Sequence, residues 1–118
     1  MSRKTIDELV SDYRGAAIAH RTASRAGDHR TANRAHRRLT KIIIELRDRD
    51  EDQRSTFLEL VDDSVTAVKL AAATHALEFA PARAEQALEA IASGPESLEE
   101  MEARLVLQEW RNGRLRPP

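Results

Sequence analysis

The stretch from Asp62 to Leu77 constrains this chain more than any other. Read as a helix, it is apolar nearly all round. Val65, Val68, Ala72, His75, Ala76 and Phe79 lie near one face, and Leu70, Ala71, Ala73, Thr74 and Leu77 lie around the rest. A helix without a polar face is buried, with neighbours on more than one side. Its alanines let those neighbours come close. Asp62, Asp63 and Ser64 suit the positive end of such a helix and cap its free N–H groups. The chain must therefore supply other helices to surround it.

Composition agrees. The 118 residues are one domain's worth, enough to bury about two-thirds of the unfolded surface. Only Tyr13, Phe57, Phe79 and Trp110 are aromatic, so the core is aliphatic and alanine-rich, which favours close-packed helices over sheets. No cysteine is present, which excludes disulfides and thiolate metal sites and fits a reducing cytoplasm. No apolar run approaches the roughly 20 residues of a membrane span. Met1-Ser2-Arg3-Lys4 leads straight into a polar helix and does not read as a signal peptide.

The remaining helices follow from caps and 3–4 spacings. Thr5-Ile6-Asp7-Glu8 is a capping box. It opens a helix with Ile6, Leu9, Val10, Tyr13, Ala16, Ala17 and His20 on one stripe, closed by Gly27. Gly15, inside it, marks a close crossing or a weak point. Asp28 caps a second helix whose stripe is Ala32, Ala35, His36, Leu39, Ile42, Ile43 and Leu46. The two form an antiparallel hairpin. After the charged break 48–52 comes a short helix with Phe57, Leu58, Leu60 and Val61, then the central helix, ended by Ala80-Pro81. Pro81 begins a fifth helix carrying Ala84, Ala87, Leu88 and Ile91. Ser97-Leu98-Glu99-Glu100 is a second capping box. The sixth helix is expected to bury Leu98, Met101, Leu105 and Val106 on one side and Ala103, Leu107 and Trp110 on another, with Gly113 past its end.

A repeat links the later helices. Leu58 and Val61 stand 30 residues before Leu88 and Ile91, and Ala72, Ala76 and Phe79 stand 31 before Ala103, Leu107 and Trp110. Two helices in a period near 30 mark an α-solenoid. The sequence thus predicts an all-α fold of about six helices in one domain, 1–118. An N-terminal antiparallel hairpin (1–47) stacks on two helix pairs, 51–79 and 81–113.

Leu60-Val61-Asp62-Asp63-Ser64-Val65-Thr66-Ala67-Val68-Lys69-Leu70-Ala71-Ala72 resembles a HEAT repeat: an apolar first helix, an aspartate turn, Val-Lys/Arg, then Ala-Ala. Lys69 stands where HEAT repeats more often carry arginine. Asn33–Leu39, Ala72–Leu77 with Ala80-Pro81, and Leu107–Leu115 resemble a bacterial family of small HEAT-like domains of uncharacterised function. That resemblance implies the helical fold and a cytoplasmic bacterial setting. It implies no activity and no catalytic residues.

Charge is distributed unevenly. Residues 1–47 hold eleven Lys/Arg against five Asp/Glu, and residues 48–118 hold eight against fifteen. Arg30, Arg34, Arg37 and Lys41 share one side of helix 2, with Arg38 flanking, and Arg14, Arg21 and Arg25 recur in the same way on helix 1. The apolar stripes fix each helix's rotation, so both arginine rows are expected to be exposed as one basic face. Three readings stand: a solvated surface, a site for an acidic protein, or a site for nucleic-acid phosphates. The modest pI and the lack of exposed aromatics for stacking weigh against the third.

Other polar groups read as structural. His20 and His36 can meet across the hairpin, as a metal pair or as part-buried imidazoles, and a metal needs more ligands than their stripes supply. His75 packs or bonds to a facing helix. Asn33 is expected to be a buried amide bonded to a loop carbonyl. Glu85, Glu89, Glu99, Glu100, Glu102 and Glu109 are expected to be exposed dipole partners, with nothing setting one as acid against another as base. No Gly-x-Ser-x-Gly and no phosphate loop occur. The sequence therefore points to a non-catalytic protein-interaction module without cofactor or metal. It would be a cytoplasmic monomer or weak homodimer with an unidentified protein partner, and one specific form is a toxin-neutralising antidote. The alternative is a nucleic-acid-binding helical domain.

Overall fold

The computed structural model describes Arg3–Pro118. Met1 and Ser2, the first half of the stretch read above as no signal peptide, lie outside the described residues. The described chain is helical throughout its regular structure: α1 Ile6–Arg25, α2 His29–Arg47, α3 Glu51–Leu58, a 3-10 turn Glu59–Asp62, α4 Thr66–Ala76, α5 Pro81–Ala92 and α6 Leu98–Arg111. It divides into two compact units, one running to Glu59 and the other Leu60–Pro117.

In the first unit α1 and α2 form the expected hairpin, with α3 packed against both. Thr5 and Glu8 make a complete capping box: the Thr5 hydroxyl accepts from the Glu8 amide at 3.2 Å, and Glu8 Oε1 accepts from the Thr5 amide at 3.0 Å. These bonds hold the Glu8 carboxyl below its ordinary range. Gly27, at φ 73°, takes the left-handed turn after α1, and the Asp28 amide reaches back to the Ala23 carbonyl at 2.9 Å. The Ile42-Ile43-Ile44 run is helical, with Ile42 and Ile43 buried and Ile44 exposed. Tyr13 and Phe57 sit fully buried, edge to face, with ring centroids 4.9 Å apart.

Gly15 is neither a crossing nor crowded. It is exposed, and nothing lies within 4 Å of where a Cβ would stand. Arg49, in the charged break, is buried. Its Nη1 donates to Gln53 Oε1 at 2.9 Å, and its Nη2 donates to the Lys4 carbonyl at 2.6 Å and Glu45 Oε1 at 3.0 Å. One guanidinium thus joins the end of α2, the start of α3 and the segment before α1.

In the second unit α4 packs against α5 and α6, and α5 against α6. The central helix is buried as its composition demands: Ala67, Val68, Leu70, Ala72, Ala73 and Ala76 lose nearly all solvent contact. It starts later than the caps suggest. Asp62 and Asp63 precede it, because Asp63 Oδ2 accepts from the Val65 amide at 2.9 Å in a local turn while Asp62 pairs with Arg83 on α5 at 2.8 Å. Pro81 occupies the first turn of α5.

Helix α3 falls in the first unit and α4 in the second. On α6 only one of the two apolar sides is covered. Ala103 and Leu107 are buried and Trp110 is half-buried, but Leu98, Met101 and Leu105 are exposed. In their place the helix buries Glu99 and Glu100, two of the glutamates expected at the surface. Glu100 meets Arg104 at 2.5 Å one turn on.

Candidate interaction surface

The α2 face opposite its apolar stripe is set by the buried row Ala32, Ala35, Leu39, Ile42, Ile43 and Leu46. With that row fixed inward, Arg30, Arg34, Arg37, Arg38 and Lys41 all stand exposed. None of the five makes an ion pair among the described residues. Asp28, at the head of the same helix, is occupied as its N-cap. The Thr31 amide donates to Asp28 Oδ1 at 3.1 Å, and bonding to Thr31 keeps that carboxyl below its ordinary range.

The α1 row does not complete this face. Arg25 is exposed, but Arg14 is half-buried and Arg21 is 8 % exposed. Helix α1 is covered beyond the stripe that its 3–4 spacings define, and a long arginine stem can lie along protein while its head reaches a partner. The cationic surface is therefore α2 with Arg25 rather than two equal stripes.

Towards the second half of α2 the face borders an open cleft of about 420 Å³, lined by Arg3, Lys4, Leu9, Asp12, Arg38, Lys41, Ile42 and Glu45. Its two carboxylates are engaged, Asp12 with Lys4 at 2.5 Å and Glu45 with Arg49 at 3.0 Å. Asp12 in turn raises the pKa of the Lys4 ammonium by hydrogen bond and charge. Arg38 and Lys41 are exposed, in a lining that includes Leu9 and Ile42. Ile44 is exposed on the same side of α2, one turn on from Lys41.

The histidines are placed as follows. His20 and His36 rings approach across the hairpin with centroids 6.1 Å apart, His20 half-buried and His36 exposed, not buried on its stripe. His75 is half-buried on α4. Among the described residues no three His, Asp or Glu side chains cluster to hold a metal ion. Asn33 is exposed, not a buried amide. Arg49 is the organising residue that the sequence reading passed over. Its signal was the Glu45, Arg49, Gln53 ladder at successive i, i+4 steps.

The molecule is thus of the small all-helical kind, with one strongly cationic helix face. The chain belongs to the family described as "Domain of unknown function (DUF2019)", whose profile matches residues 7–110. It is similar to the crystal structure of the protein RPA1889 from Rhodopseudomonas palustris CGA009. That likeness has 28% sequence identity and a TM-score of 0.88, over 98% of this chain and 96% of that one. No curated protein matches the chain. No helix among the described residues is long and apolar enough to cross a membrane.

Proposed function

We propose that this protein is a non-catalytic, cytoplasmic interaction module that binds an acidic protein surface through the outer face of α2. The observation that carries the reading is the row Arg30, Arg34, Arg37, Arg38 and Lys41, exposed and without ion pairs on one helix side. Such a row raises the encounter rate with an anionic partner and fixes its register. Exposed Ile44 beside the row and the cleft whose lining includes Leu9 and Ile42 offer apolar contact as well as charge, which favours a protein over a phosphate backbone. Tyr13 and Phe57 are buried and unavailable for base stacking. The reading of HEAT-like helix pairs rests on the period near 30 residues and on buried Ala72 of α4, matched 31 residues on by buried Ala103 of α6. An antidote that neutralises a bacterial toxin is one specific form, and gene neighbourhood tests it.

The decisive experiment reverses Arg34, Arg37 and Lys41 together to Glu. Exposed single charges contribute little to stability, so circular dichroism should be unchanged. Pull-down from a bacterial lysate should lose the partner that the wild type retains. Equal retention by a folded triple variant rejects this face. Recovery of oligonucleotide instead, with affinity falling by about 0.9 in log K per log salt for each phosphate neutralised, supports the nucleic-acid alternative.

A further inference from the structure

The uncovered side of α6 presents a row of exposed apolar side chains at coiled-coil spacing. Leu98, Met101 and Leu105 are 42%, 63% and 58% exposed. With the exposed Gln108 they step 3, 4 and 3 residues, the first and fourth positions of two successive heptads. Glu102 and Glu109 flank this seam on one side, and Arg104 and Arg111 flank it on the other. In heptad terms Glu102 and Glu109 hold the position just after each fourth residue, and Arg104 the position just before the first residue Leu105, while Arg111, one heptad on, is engaged with Glu89 of α5.

We infer that α6 is a self-association surface, and that two copies of this chain pair through it in parallel about a two-fold axis running along the helices. Charge decides both occupant and direction. In a parallel pair the arginine flank of one helix faces the glutamate flank of the other, so Arg104 stands opposite Glu109 of the second copy, five residues on. In an antiparallel pair glutamates face glutamates and arginines face arginines, which repels. A surface with opposite charges on its two flanks matches itself under a two-fold axis without needing a different partner. Within one chain Arg104 pairs with Glu100 and Glu109 with Arg114. Both arginines are exposed, and such pairs cost little to share or exchange. The seam is short and ends in polar Gln108, so the association is weak and appears at high protein concentration.

Three measurements on the full chain test this. Sedimentation equilibrium over a rising concentration series should show monomer passing to dimer, and a monomer at every concentration overturns the proposal. Met101→Glu should abolish the dimer while leaving the helical circular dichroism unchanged, since Met101 is exposed. A dimer that survives this change places the interface elsewhere. Leu98→Cys introduces the chain's sole thiol. Parallel pairing brings the two 98 positions together and gives a disulfide-linked dimer under mild oxidation. Antiparallel pairing about the middle of the seam separates them by about 15 Å along the axis at 1.5 Å per residue, and absence of the link in a persisting dimer overturns the parallel seam.

Discussion

The indole N–H of Trp110 donates to Glu85 Oε1 at 2.8 Å, tying α6 to α5. Arg111, the next residue on α6, reaches Glu89 one turn further along α5. Two of the glutamates that sequence alone assigns to solvent therefore hold a helix pair together. Trp110→Phe keeps most of the packing but removes the donor. It should cost roughly 1 kcal/mol, read by urea denaturation followed by circular dichroism. Glu85→Gln retains an accepting oxygen and should cost less. Equal stability of Trp110→Phe and the wild type would show that the bond contributes nothing.

Tyr13 is the chain's one tyrosine and is fully buried against Phe57. Burial pushes its hydroxyl pKa well above the ordinary 10.0, because a phenolate loses its hydration inside the protein. The folded state thus holds this proton more tightly than the unfolded chain. The stabilising contribution is complete below pH 10 and is lost as the pH rises towards the folded value. In an alkaline titration, phenolate absorption should appear together with loss of helical circular dichroism. Ionisation near pH 10 in a chain that stays helical contradicts the burial.

Gly15 stands exposed in the middle of α1 with open space where a Cβ would go. Alanine there restricts the unfolded chain and meets no neighbour. Gly15→Ala should stabilise by about 0.5–1 kcal/mol, seen as a higher melting temperature. A lower one would mean that α1 needs the glycine for a contact made in another state.

Ala72 has no solvent contact, in a helix packed by α5 and α6. Ala72→Leu inserts a branched side chain into that space and should cost roughly 1–3 kcal/mol. Thermal melting by circular dichroism is the check, and an unchanged midpoint would show slack packing around α4.

The sequence by itself determined what is encoded within a few residues. Thr5 with Glu8, Asp28 with Thr31, Gly27 and Gly113 at positive φ, and Pro81 at a helix start are local chemistry, and the helices begin and end near them. The burial of α4 was equally legible, because a helix with no polar face has no other stable place. The α2 cations were legible for the converse reason: one apolar row leaves one direction for the rest.

Tertiary structure alone decided the cases where periodicity offers a choice. Helix α6 carries two apolar sides, and only packing against α4 and α5 selects Ala103 and Leu107 over Met101 and Leu105. Helix α3 has too short an apolar pattern to specify its neighbours, and it joins the hairpin, where Phe57 meets Tyr13. Arg21 has the spacing of a surface arginine but lies buried, and Arg49 sits in a charged run yet fills a buried junction. The physical reason is common to all four. A helix's own hydrogen bonds and caps are satisfied by neighbours in sequence, but which face is covered depends on contacts between residues far apart in the chain. Many pairings with similar local patterns compete for those contacts.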